Sequence, residues 1–136
     1  MNVLAINAML QGPGLLAYLG ESARFLAYGG LQPAEGGTPT TLLAAAVLAL
    51  PAGAVADGKL ALTQADSAGD LALATGIATW GRVELADGTW VADFSMSGPS
   101  GTGQVTLVVV NPPEGDPEAK LYQGGTFFIG EVVIGG

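Results

Sequence analysis

The sequence predicts a mainly β protein: an antiparallel β-sandwich or barrel-like sheet with a short N-terminal helix. Three observations carry this reading. Short runs rich in Val, Thr, Leu and aromatic residues alternate with clusters of Gly, Pro, Asn and Asp along most of the chain. Asp87-Gly88 separates two such runs, and Gly supplies the positive φ that a tight hairpin turn requires. Several short strands at this spacing suit a sandwich or a barrel.

The elements follow in order. In residues 2–10, Val3, Ile6, Met9 and Leu10 recur at helical spacing and Asn2 stands where a cap would. Gly12-Pro13-Gly14 ends that helix, and residues 15–19 extend it or add a second turn. The chain thus divides into a helical segment, 1–20, and a single β-domain, 21–136. Residues 22–28, SARFLAY, read as a strand with Ala23, Phe25 and Ala27 on one face and Arg24, Leu26 and Tyr28 on the other. Residues 29–39 are a loop by composition. Residues 40–50, TTLLAAAVLAL, read as a strand: Ala and Leu favour a helix, but the opening Thr pair and the closing Pro51 oppose one. Residues 52–58 turn, 59–63 form a strand and 64–70 make a polar turn. Residues 74–85 and 89–96 are the two arms of the Asp-Gly hairpin, with Trp90, Ala92 and Phe94 expected on one side. Residues 97–103 are a loop, 104–110 a strand and 111–119, NPPEGDPEA, a Pro-rich acidic loop. Residues 121–134 form a last strand, broken at Gly124-Gly125 and Gly130, where bulges or bends are expected.

Composition narrows what this sheet can do. Apolar residues make up 49% of the chain, but many are Ala, and 22 residues are Gly. The large anchors are therefore few: Phe25, Tyr28, Trp80, Trp90, Phe94, Phe127 and Phe128, with Tyr18 and Tyr122 beside them. Each is a candidate core or interaction anchor, since an aromatic side chain buries about 150–250 Å². Twelve acids face four bases, Arg24, Lys59, Arg82 and Lys120, for a net charge of −8. Scattered bases in an acidic chain argue against nucleic acid and against anionic membranes. The apolar run at 42–56 is broken by Pro51 and is shorter than the roughly 20 residues of a spanning helix. Charged residues are only 12%, against about 25% in an ordinary domain. Mean hydropathy is +0.47. Such a surface is expected to carry apolar patches that meet other subunits.

Little in the sequence carries chemistry. The chain has no His and no Cys, so the usual acid–base group and thiolate chemistry are missing. Asp57, Asp66, Asp70 and Asp87 fall in expected turns and lack calcium-loop spacing. Asp93 lies between Ala92 and Phe94 and is expected to face solvent on the alternate side of its strand, with Glu84 across the hairpin. The glycine pairs form no phosphate-binding loop. Trp80 and Trp90, on facing arms, would make either a sugar-stacking platform or, as expected here, packing contacts. No catalytic residue, cofactor or metal is therefore assigned, and the protein is expected not to be an enzyme.

Three stretches carry a resemblance: 23–43, ARFLAYGGLQPAEGGTPTTLL; 72–80, ALATGIATW; and 83–103, where ADG precedes an aromatic strand and SGPSGTG. Together they resemble small virion structural β-proteins of tailed bacteriophages and prophages. The chain departs from that pattern in its C-terminal third, where NPPEGDPEA and GTFFIGEVVIGG are longer and more apolar. The resemblance implies a structural role in a phage particle, localised to the virion. Its partners would be other virion proteins and copies of itself in a symmetric homo-oligomer. A tail-tip, baseplate or fibre-attachment position is the leading expectation, and capsid decoration is the alternative. A carbohydrate-binding β-module is the alternative of a different class, motivated by Trp80 and Trp90.

Overall fold

The computed structural model describes residues 1–10, 14–56 and 59–133. Two helices, α1 (Val3–Leu10) and α2 (Gly14–Leu19), precede ten strands. These are β1 (Arg24–Gly29), β2 (Thr41–Ala56), β3 (Lys59–Gln64), β4 (Asp70–Leu71), β5 (Gly76–Ile77), β6 (Trp80–Glu84), β7 (Trp90–Ser97), β8 (Val105–Val109), β9 (Lys120–Leu121) and β10 (Thr126–Val133). The expected helix end at Gly12-Pro13, the packing of Met9 and Leu10, the turn at Asp57-Gly58 and Ile134 lie outside the described residues.

Seven strands close into a barrel, in the order β3-β2-β1-β6-β7-β8-β10, with β10 returning to β3. A ring with an odd number of strands cannot alternate direction all the way round, so at least one neighbouring pair must run parallel. That pair is β7–β8, joined at only Met96↔Val105 and Ser97↔Thr106. The other ring pairings are antiparallel. Outside the ring, β4 pairs with the start of β10, and β5 with β9 as a small ribbon.

Even an eight-stranded barrel is only wide enough for side chains to fill it, which accounts for the abundant Ala. Phe25, Phe94, Phe127, Leu48, Leu62, Leu107, Ile129 and Val132 fill the interior beside Ala27, Ala44 and Ala46. The helices plug one end. Asn2 donates its backbone N–H to the Val91 carbonyl at 2.7 Å, and its side-chain oxygen caps α1 by accepting the Ala5 N–H at 2.8 Å. Ala5 and Leu19 are buried in the barrel core. The apolar cavity left under Met1, Leu15 and Leu19 measures about 10 Å³, roughly what a single water needs.

Several segments depart from the sequence-based expectation for local reasons. β2 does not stop at Pro51 but runs to Ala56. Its pairing with β3 shifts between Leu48 and Gly53, so Pro51 sits in a wide irregularity where no ladder donor is required. Gly53 resumes the ladder where a Cβ would lie 2.1 Å from the Ala61 carbonyl oxygen, an approach only glycine permits. Gln64 belongs to β3 and not to a polar turn: it is buried, and its amide bonds Asp70 and the backbone of Phe127 and Ile129. The arm expected at 74–85 is regular only from Trp80. In β7 the register shifts opposite Val83/Glu84, so the side chains of Trp90, Ala92 and Phe94 do not share one side. Trp90 bonds Asp93 on the outer wall, while Ala92 and Phe94 join the core. The hairpin turn forms as expected, with Gly88 at φ 90° and its N–H donated to the Leu85 carbonyl at 2.9 Å. The pairing of β10 with β8 shifts across Gly130, between Ile129 and Val132.

Candidate functional site

Among the described residues, a strap over the outer wall of β1, β6 and β7 and an apolar rim at the end opposite the helices stand out beyond the core.

The strap is residues 30–40. Beneath it the outward positions of the wall carry Leu26, Tyr28, Trp80, Arg82 and Asp93. Tyr28 and Trp80 stack with centroids 4.4 Å apart and planes 15° apart. The Arg82 guanidinium carbon lies 5.4 Å from the centre of the Trp80 ring. Arg82 is opposite Asp93 in the β6–β7 ladder and grips its carboxylate twice, Nε–Oδ1 at 2.6 Å and Nη2–Oδ2 at 3.1 Å. Arg82 also donates to the Gly37 carbonyl of the strap at 2.8 Å. The Gly36 N–H of the strap donates to Asp93 Oδ2 at 3.0 Å, and the Trp90 indole N–H to Oδ1 at 3.1 Å. Trp80 donates to Thr40 Oγ1 at 2.9 Å, and that hydroxyl in turn donates to the Gly29 carbonyl. Farther along, the Glu35 carboxylate meets the N-terminal amine of Met1 at 3.3 Å.

Asp93 therefore does not face solvent as its alternation implied. It points outward, but the strap covers it, and its side chain is 0% exposed. The local sequence carries no sign of this, because the covering segment comes from residues 30–40. Burial pushes the Asp93 carboxyl up. Hydrogen bonds from Arg82, Gly36 and Trp90 outweigh that and hold it below the ordinary carboxylate range. Its bond to Asp93, working against burial, raises Arg82. Burial raises the Tyr28 phenol, with the Glu84 charge adding to it. The Asp93 carboxylate accepts four hydrogen bonds, which fills its acceptor sites. This arrangement locks a loop and leaves no lone pair for a reacting proton. Glu84 is not its cross-strand partner; it pairs with Arg24 at 3.2 Å.

The aromatic anchors separate accordingly. Phe25, Phe94 and Phe127 lie in the barrel core. Tyr28 and Trp80 form the small outer cluster with Leu26, and Phe128 and Trp90 are half-buried on the outer wall. Trp80 is 0% exposed and stands opposite Ser95, while Trp90 stands opposite Glu84 at the far end of the hairpin. The two indoles thus present no shared face to a sugar.

The rim is apolar. Leu31, Leu42, Leu71, Leu73, Ile77 and Val110 are all exposed there. Leu73 and Ala74 donate to the Leu43 carbonyl at 2.8 and 3.1 Å, which ties this chain to the start of β2. The Ile77 carbonyl abuts Gly29 at the end of β1. Leu71 and Val110 both pair with Thr126. At the opposite end α1 exposes Val3, Leu4 and Ile6. All four bases are in ion pairs: Arg24–Glu84, Lys59–Glu131, Arg82–Asp93 and Lys120–Asp116. Among the described residues no three His, Cys, Asp or Glu side chains gather as a metal site, and no helix is long and apolar enough to cross a membrane.

Compared with protein-family models, curated proteins and solved structures, the chain has no match.

Proposed function

We propose that this protein is a structural component of a tailed-phage virion, positioned at the tail tip, baseplate or fibre attachment, and that it acts through protein–protein contacts. The observation that carries the reading is the set of large apolar side chains left exposed at the two ends of the barrel. A free globular domain seldom leaves such patches uncovered, whereas a subunit packed among neighbours covers them. The particular assembly rests on the resemblance of residues 23–43, 72–80 and 83–103. Those stretches supply the strap, the β6–β7 wall beneath it except for Gly81 and Arg82, and part of the rim. In the particle the copies follow its symmetry, contacting one another and other virion proteins.

The test is mass spectrometry of purified particles, followed by a particle map. Peptides of this chain in stoichiometric amounts, with density at the tail end, support the proposal. Density on the capsid surface replaces the tail with a decoration role. Absence from particles, together with a monomer that does not associate at high concentration, overturns the virion assignment.

A further inference from the structure

We infer that the rim end docks a different protein, one presenting an apolar patch edged by Lys and Arg, with Leu31 as the central anchor. This deepens the proposed structural role and rests on it. Leu31 is 87% exposed, more than any other large apolar side chain described. It does not sit on a loose loop. The Gly30 carbonyl before it accepts the Thr79 hydroxyl, and the Gly29 carbonyl accepts the Thr40 hydroxyl. Beyond it the strap is held by Arg82 and Asp93 through Gly37 and Gly36. The backbone on both sides of Leu31 is thus held in place, so docking its side chain orders no loop, which lowers the entropic cost of using it as an anchor.

Charge selects the partner. Glu114 and Glu118 lie exposed in the connection between β8 and β9, which this end carries: Val110 donates to Thr126 at its start and Ala119 accepts from Ala78 at its close. Lys120, two residues beyond Glu118, is taken by Asp116 at 3.9 Å. Asp70 is bonded to Gln64 at 2.7 Å. The rim therefore offers an apolar centre and carboxylates that no cation of this chain neutralises. A second copy would bring the same carboxylates, from a chain that itself carries −8, and like charges facing one another suppress association. A basic-edged partner supplies the missing cations.

The probes are two synthetic peptides with the same Leu/Phe centre, one flanked by Lys and one by Glu, titrated into the full chain and followed by amide NMR. Binding of the Lys-flanked peptide should shift the amides of Leu31, Leu73 and Ile77, weaken with added salt, and be about thirtyfold weaker for Leu31→Asp. Leu4→Ser, at the helix end, should bind as the parent does. Equal binding of the Glu-flanked peptide, shifts centred on α1, or no effect of Leu31→Asp would overturn the inference. So would concentration-dependent shifts at the rim without any peptide, because they would make a second copy the occupant. In particles, Leu31→Asp should be lost. A parent chain missing from particles would remove the virion role and leave the rim's chemistry to be decided by the titration.

Discussion

Asp93 is the residue on which most of the outer wall depends. A buried carboxylate bonded to Arg82, Gly36 and Trp90 becomes a liability when its charge is removed, because Arg82 is then left buried without its counter-ion. Asp93→Asn should lower unfolding stability by about 3–5 kcal/mol in urea titrations. Replacing both partners, Arg82→Met with Asp93→Leu, should recover part of that loss, since no unpaired charge remains but the N–H groups of Gly36 and Trp90 and the Gly37 carbonyl lose their partners. The pH dependence follows from the lowered carboxyl. A group whose folded value lies below its unfolded one stabilises fully above the unfolded value, about 3.9 for Asp, and loses that contribution as pH falls through the folded one. The stability gap between the parent and Asp93→Asn should therefore hold from neutral pH to about pH 5 and narrow below about pH 4. Trp80 makes a second residue-scale prediction. In the folded chain its fluorescence should resist acrylamide while that of Trp90 is quenched, so Trp80→Phe should leave a signal that is more readily quenched.

At the scale of elements, what could be read in advance was what is local. The hairpin around Asp87-Gly88 was legible because its turn chemistry lies within a few residues, and Asp87 accepts both the N–H and the hydroxyl of Thr89 as such turns do. The facing of β1, with Phe25 and Ala27 inward and Leu26 and Tyr28 outward, followed from simple alternation. Irregularity defeated the same reasoning elsewhere. One register shift turns Trp90 away from Ala92 and Phe94, and another carries β2 past Pro51. The irregularity in β2 is held by Gly53. Gly53→Ala should destabilise by about 3 kcal/mol, measured by thermal or urea unfolding, because the new Cβ would meet backbone and not a movable side chain.

For the whole molecule, a barrel-like β-fold was legible from strand spacing, but closure of the ring was not. Closure depends on pairing Leu60 with Val132, and nothing in either segment alone names the other. The strap site was illegible for the same reason: Gly36 and Asp93 meet across 57 positions of sequence. The plug contributes to the same core as the ring. Leu19→Ala should cost about 2–5 kcal/mol in the unfolding of the whole chain as one transition, not in a separate early step.

The odd number of strands has a mechanical corollary. Every other junction of the ring has a longer backbone ladder or a hairpin, but β7 and β8 share two rungs across a loop that starts at Gly98. Side-chain bonds between Ser95 and Gln104 and between Ser97 and Gly103 are their only hydrogen-bonded reinforcement among the described residues. A force or a denaturant that opens the cylinder has one cheap place to begin. Opening it there yields an unrolled seven-stranded sheet with β7 and β8 as its raw edges, each able to zip onto the edge of another unrolled copy. The arithmetic that closes this barrel thus also sets where it would tear and how its fragments would recombine.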